Sequence, residues 1–256
     1  MSRGVLTNYS ADREVVYLAL QGRGQLNLIG GETLRAGAAQ IRALHQDPRL
    51  RCAVLTGSTP ENFIGGADLK ELGVLTPDNA EAFIRSIHDF CAALRALPVP
   101  VVARVAGHCL GGGLEIAAAC DLRVADSDSH YGMPEVRVGV PSVIEAALLP
   151  ALIGWGRTRE LLLRGHLIDA ATAERIGLVG PISAPAELDA LVARVVDDIR
   201  AGAPAAVRAQ KRLCQRWEEL PLREAIEAGV SEFVRSYDSD EPARYVAAFF
   251  AGRHRP

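Results

Sequence analysis

Gly107-His108-Cys109-Leu110-Gly111-Gly112-Gly113-Leu114-Glu115-Ile116-Ala117-Ala118-Ala119-Cys120-Asp121 decides the architecture of this chain. The β-branched run Val101-Val102-Ala103-Arg104-Val105 leads into it, three glycines make a turn, and an Ala-rich segment of high helix propensity leaves it. Three consecutive glycines cost conformational entropy on ordering. A strand-to-helix turn offsets that cost where bare α-carbons let backbone or ligand approach closely. The first amide N–H groups of the helix have no intrahelical acceptor and lie at its positive end. That geometry suits an oxyanion. A phosphate fits the same physics, but no Gly-Lys-Ser/Thr follows and the spacing is not Gly-x-Gly-x-x-Gly, so neither nucleotide-binding loop is present. A packing turn without a ligand is the competing reading.

Outward from this turn, strands alternate with helices. Val15–Leu20 and Cys52–Thr56 read as strands, each closed by glycine. The segment from about Glu32 to His45 carries Leu34, Ala38, Ile41 and Leu44 at helical spacing. Asp78–Ala96 is the clearest amphipathic helix, with Phe83, Ile87, Phe90 and Leu94 on one face and Pro98 and Pro100 ending it. The alternation predicts an α/β core with largely parallel, buried strands. After about Pro141 helices dominate: Ser142–Ile153, Thr158–Arg164, Asp169–Ile176, Pro185–Ala201, Pro204–Arg216, Pro221–Ser236 and Glu241–Gly252, with one short strand near Leu178–Ile182. The division expected is a core over residues 1–190 and a helical region over 191–256. The last helix carries Tyr245, Val246, Phe249 and Phe250 as an apolar stripe. Docking on the chain's own core and docking on a neighbouring subunit explain it equally well.

Composition removes several classes of protein. The 256 residues are 49% hydrophobic and 23% charged with a formal net charge of −3, which excludes wholesale disorder and gives no electrostatic case for nucleic acid. Aromatics at 5% do not supply a base-stacking surface. No apolar run approaches the roughly 20 residues of a membrane span. The five cysteines, Cys52, Cys91, Cys109, Cys120 and Cys214, are irregularly spaced and suggest neither a disulfide framework nor a zinc site. Reduced, mostly buried thiols and a start without signal or transit character lead to the expectation of a cytoplasmic protein. Lys70 and Lys211 are the only lysines.

A second glycine turn, Asn62-Phe63-Ile64-Gly65-Gly66-Ala67-Asp68-Leu69-Lys70, follows the Cys52–Thr56 strand. Two such loops on one sheet can aim two backbone N–H groups at a single oxygen. Two carboxylates accompany them: Glu115 in the first turn of the Ala-rich helix, and Glu135 in Met133-Pro134-Glu135-Val136. Alone, the first reads as a dipole partner and the second as a solvated loop residue. Together in one pocket they could take and give a proton.

These segments resemble the crotonase (enoyl-CoA hydratase/isomerase) superfamily. Phe63–Lys70 is similar to its first oxyanion-hole signature, Gly107–Asp121 to its second and Met133-Pro134-Glu135 to its second acid/base segment. Asp169–Val179 resembles the helix that follows, and the likeness runs from about residue 5 to 252. The resemblance implies a spiral of ββα repeats with a helical C-terminal trimerisation region, assembled as a homotrimer or a dimer of trimers. It implies an acyl-CoA thioester substrate, with coenzyme A part of the substrate and no metal or redox cofactor. By position, Ala67 and Gly112 supply the oxyanion-hole amides, with Gly112 expected to need its bare α-carbon as well as its N–H. Gln25, Gly65, Gly66, Asp68 and Leu69 are candidates for contacts to coenzyme A. Glu115 and Glu135 match the glutamate pair of the hydratases, Glu115 towards water and Glu135 towards C2, which favours water addition to a 2-enoyl-CoA. Double-bond isomerisation, thioester hydrolysis or non-catalytic acyl-CoA binding are the alternatives. One segment departs from the family: Ser142-Val143-Ile144-Glu145 stands where hydratases carry Gly-Ala-Gly-Gly. Glu145 reads as a first-turn dipole partner or as a residue that tunes the pocket.

Overall fold

In the computed structural model, which describes residues 4–252, Val5–Tyr9 (β1) and Val15–Leu20 (β2) form an antiparallel pair at one edge of a six-stranded sheet. Helix α1 (Gly31–Ala43) then returns the chain to Cys52–Gly57 (β3), parallel to β2. A short helix α2 (Leu69–Leu72) and the long α3 (Pro77–Ala96) lead to Val101–Val105 (β4), again parallel. Next come His108–Leu110 (β5), α4 (Gly112–Ala119), Leu122–Asp126 (β6) and His130–Gly132 (β7). Helix α5 (Leu149–Arg164), Leu167–Asp169 (β8), α6 (Ala170–Arg175) and Ile182–Ser183 (β9) follow. The remaining helices are α7 (Leu188–Ala201), α8 (Pro204–Glu219), α9 (Leu222–Ser236) and α10 (Glu241–Phe250). The ends of the two expected regions, residues 1–3 and 253–256, lie outside the described residues.

The large sheet runs β1-β2-β3-β4-β6-β9, and β5-β7-β8 form a second, smaller sheet. Isolated bridges extend the small sheet's pattern, joining Ile64 to Cys109 and Ile29 to Ala67. Each turn of chain therefore lays one strand in the large sheet and a short extended piece in the small one before its helix. This is the ββα spiral expected. Alternating residues on the buried strands separate two cores. Val16, Leu18, Leu20, Ala53, Leu55, Ala103 and Val105 face α1, α3 and α4. Val15, Cys52, Val54, Val102 and Val124 face Leu188, Leu191, Val192 and Val196 of α7.

Several expectations need adjustment. The strands β1, β5, β6 and β7 were not anticipated from the sequence, and β8 lies in the part expected to be helical. Ser142–Ile153 opens as a 3-10 turn (Ile144–Leu148), and it joins Thr158–Arg164 as α5, broken where Gly154 sits at φ 74°. Of the Leu178–Ile182 run only Ile182 is in a strand, β9. The terminal helix docks through Ala248 and the half-buried Tyr245, while Val246, Phe249 and Phe250 remain exposed. No helix among the described residues is long and apolar enough to cross a membrane.

Lys211, one of the two lysines, locks α8 to the core. Its buried Nζ donates to the carbonyls of Leu94 at 3.3 Å and Val99 at 3.0 Å and pairs with Asp121 at 2.8 Å. Replacement leaves these acceptors without a donor, and a buried acceptor or partner left unpaired costs about 1–3 kcal/mol or more. Lys211→Met is expected to lower unfolding stability by roughly 2–3 kcal/mol in urea titration; an unchanged midpoint would show that α8 is held by packing alone.

Candidate active site

The glycine turns fold as they do because the backbones of neighbouring strands pass within touching distance. A Cβ on Gly113 would stand 2.3 Å from the Ile64 carbonyl, and Gly66 adopts φ 106°. The Gly66 carbonyl accepts Ile29 N–H and Asp68 N–H donates to Ile29, which turns the intervening Ala67 N–H away from that strand. Gly112 is the first residue of α4, so its N–H has no intrahelical acceptor. Among the described residues neither the Ala67 nor the Gly112 N–H meets a backbone acceptor. Both residues line one cavity of about 520 Å³, together with Glu115 and Glu135. Leu72, Leu75, Phe83, Ile84, Ile87 and Val143 supply apolar walls.

Among the protein's own atoms, the requirement for a bare α-carbon is stricter at Gly111 than at Gly112. A Cβ on Gly112 would meet only ordinary contacts, Ile87 at 3.4 Å and Ile29 at 3.6 Å. Gly111 is the constrained position: it sits at φ 53°, ψ −127°, and a Cβ there would come within 2.3 Å of Glu135 Oε1. The absence of a side chain at Gly111 is what gives the Glu135 carboxylate its place.

Glu115 is 4% exposed, and its Oε1 accepts the Ala146 N–H at 3.1 Å. Burial pushes its carboxyl up to about 8; the Ala146 N–H opposes this, and the negative charges of Glu135 and Glu145 add to it. Glu135 is half-buried, and burial raises its pKa too, against the Ser142 hydroxyl that donates to its Oε2 at 2.8 Å. Both carboxyls are thus raised above the ordinary carboxylate value, and the charge of Glu135 acts on Glu115. Such a pair titrates as a unit.

The candidates for coenzyme A contact divide. Gln25 and Leu69 are exposed, and Gly65 and Gly66 form the turn beside them. Asp68 is 5% exposed and committed internally: it caps α2 through the Lys70 N–H at 3.0 Å and pairs with Arg23 at 2.9 Å. Both interactions, the Lys70 N–H first, hold its carboxyl below the usual range. Asn27 is a further organiser: its Nδ2 donates to Phe63 O at 2.6 Å, and its Oδ1 accepts from Gly22 N at 2.6 Å and Ser58 Oγ at 2.8 Å. It ties the 22–27 loop to the segment that leads into the Gly65-Gly66 turn. His108 and His130 stack at 5.9 Å away from the cavity lining, consistent with a structural part. Glu145 begins a turn, as expected of a dipole partner, but its carboxylate turns to His88 on α3, with Oε1 2.8 Å from Nδ1.

Known proteins resemble this chain over most of its length. The enoyl-CoA hydratase/isomerase family profile matches residues 10–254. YngF of Bacillus subtilis is 38% identical over 219 residues, 85% of this chain and 83% of that one. The crotonyl-CoA hydratase of Syntrophomonas wolfei is 30% identical over 229 residues, covering 89% of this chain and 88% of its own. The crystal structure of an enoyl-CoA hydratase from Mycobacterium smegmatis superposes with a TM-score of 0.93 at 28% identity, covering 98% of both chains. The chain belongs to the enoyl-CoA hydratase/isomerase family and has the crotonase fold.

The role of the Gly112 amide is separable from its side-chain space. Gly112→Pro removes the donor and is expected to lower kcat by at least ~10² while coenzyme A esters still bind. Gly112→Ala keeps the N–H and is expected to fold with an unchanged Tm. A folded Gly112→Pro protein with near-normal turnover would exclude this N–H from stabilising the oxyanion.

Proposed function

We propose that the protein is an enoyl-CoA hydratase, adding water across the 2,3 double bond of a 2-enoyl-CoA thioester. The observation that carries this reading is the meeting, in one largely apolar cavity, of two N–H groups without backbone acceptors and two carboxyls of raised proton affinity. The thioester oxygen sits between the Ala67 and Gly112 amides. As water oxygen bonds to C3, negative charge develops on that oxygen, and fixed dipoles stabilise it more in the transition state than in the ground state. Each such donor is typically worth ~2.7–4 kcal/mol. With the pair's single proton on Glu135, Glu115 accepts a proton from the water as Glu135 delivers its own to C2; after product leaves, the proton passes from Glu115 back to Glu135 through solvent, which restores the starting form. Gln25, Gly65, Gly66 and Leu69 border the coenzyme A path, while Asp68 shapes the turn from within.

Following the loss of conjugated-enoyl absorbance at fixed thioester tests the reading. Free thiol release in its place would favour hydrolysis, and appearance of conjugation from a 3-enoyl-CoA would favour isomerisation. Tight coenzyme A ester binding with no turnover on a panel from four-carbon to long-chain and aryl thioesters would favour a binding protein. A homotrimer or dimer of trimers belongs to the same proposal. Its support is the apolar surface left by α9 and α10, where Leu222 is 78%, Phe233 67%, Phe249 77% and Phe250 82% exposed. Four thiols buried without disulfides agree with a cytoplasmic location.

Glu115→Gln and Glu135→Gln keep size but remove proton transfer, so each is expected to lower kcat by ~10²–10⁴. The double variant should fall far less than the product of the two, since the pair acts as a unit. For the wild type, kcat/KM should decline above about pH 8, where the pair loses its last proton. A flat profile from pH 6 to 10 would contradict it. Sedimentation at micromolar concentration should show a trimer or hexamer, and a stable active monomer would refute that assembly.

A further inference from the structure

Residues 142–146 touch both carboxylates at once. At one end the Ser142 hydroxyl donates to Glu135 Oε2, and at the other the Ala146 N–H donates to Glu115 Oε1. Between them Ile144 sits at φ 42°, a region that a β-branched residue rarely adopts. A segment so bent needs an anchor, because strained backbone persists only where its surroundings over-determine it. Among the described residues, the side-chain hydrogen bond that ties this segment to another element, outside its contacts to the two glutamates, is Glu145 Oε1 to His88 Nδ1 at 2.8 Å on α3.

The chemistry of that anchor is unusual. Glu145 is 7% exposed, and its buried Oε2 meets no nitrogen or oxygen donor among the described residues, with the Cys91 thiol the group that faces the carboxylate. Buried polar atoms left in this way call for an explanation beyond packing. The groups facing it are His88 and Cys91 on α3 and Glu115 on α4, with Glu135 beyond Glu115; the Glu81–Arg85 pair lies on the same stretch of α3. An amide or an apolar residue could fill the space, whereas a carboxylate adds negative charge beside Glu115.

We propose that Glu145, held by His88, is a positioning residue of the acid/base pair: it fixes the 142–146 segment so that Ser142 and Ala146 orient the two glutamates. This rests on the hydratase reading for its kinetic consequence, though not for its effect on Glu115 itself. The sign is set by proximity. A negative charge near Glu115 disfavours its ionised form, and Glu145 acts in that direction on Glu115. Removing that charge makes Glu115 give up its proton at lower pH.

Three variants test this in the full-length protein. Glu145→Gln keeps the length and the acceptor for His88 but removes the charge. Glu145→Ala removes both, and His88→Asn alters the anchor at a half-exposed position where folding is not at risk. With crotonyl-CoA as probe, Glu145→Ala is expected to lose about tenfold to a hundredfold in kcat with little change in KM. Glu145→Gln should recover most of kcat yet still show the alkaline limb of kcat/KM displaced to lower pH by about half a unit or more. His88→Asn should fall between them. Carbon NMR of carboxyl-labelled glutamate gives a readout that needs no turnover: the Glu115 titration should move down in Glu145→Gln. Wild-type protein inactive on every enoyl-CoA would reject the hydratase reading, leaving the NMR titration to judge the charge effect. A Glu145→Gln variant with unchanged kcat, unchanged alkaline limb and unchanged Glu115 titration would overturn the proposal, as would losses in all variants that follow Tm alone.

Discussion

Two carboxylates lining one largely apolar cavity, Glu115 buried and Glu135 half-buried, are the constraint around which this molecule is arranged. Burial disfavours the charged form of each and pushes Glu115 up to about 8. Ionising Glu115 works against the fold: its folded-state value lies above the ordinary value of 4.5, so the stability it contributes is present at low pH and is lost as pH rises through about 8. The rest of the site answers that cost with directed dipoles. Ala146 N–H and Ser142 Oγ each take one carboxylate. Gly111 clears the space for Glu135, and the first turn of α4 leaves its Gly112 amide directed at a different target.

The spiral supplies these parts from distant stretches of chain. Ala67 comes from the turn after β3, Gly112 and Glu115 from the turn after β5, and Glu135 from the turn after β7, so successive repeats each deliver one element to one cavity. The small sheet fixes their relative positions through the pairings of Ile64, Cys109, Tyr131 and Ile168. Its members are three residues long or shorter, and their hydrogen bonds run between repeats. A substitution that disturbs Gly113 or Gly132, where a Cβ would strike the carbonyls of Ile64 and His166, acts on the site through this sheet.

How much of this is legible in the sequence depends on length and on locality. The long elements were read within a few residues: α3, α7, α8 and α9 show helical periodicity over three or more turns, and β2, β3 and β4 are continuous buried runs. β5, β7 and β8, at three residues each, are too short to display any period and form only because neighbouring repeats pair with them. The two glycine turns and the carboxylates Glu115 and Glu135 are visible one segment at a time, whereas Ala67 and Gly112 within those turns are picked out only by the family resemblance; the structure lines one cavity with all four. His88, Asn27 and the Ala146 N–H gave no such signal. His88 is one histidine on a long helix, and only the return of residue 145 to that helix gives it a partner. Ser142 and Glu145 were noticeable as departures from glycine, but what they touch is a property of the tertiary structure.

Turnover of crotonyl-CoA in water labelled with ¹⁸O and deuterium tests the account most directly, because it follows the atoms of water themselves. Hydration by the glutamate pair predicts a hydroxyacyl-CoA product carrying one ¹⁸O, at C3, and one solvent deuterium at C2, with the thioester intact. Label in a released carboxylate, or a product with deuterium in the chain and no ¹⁸O, would contradict it.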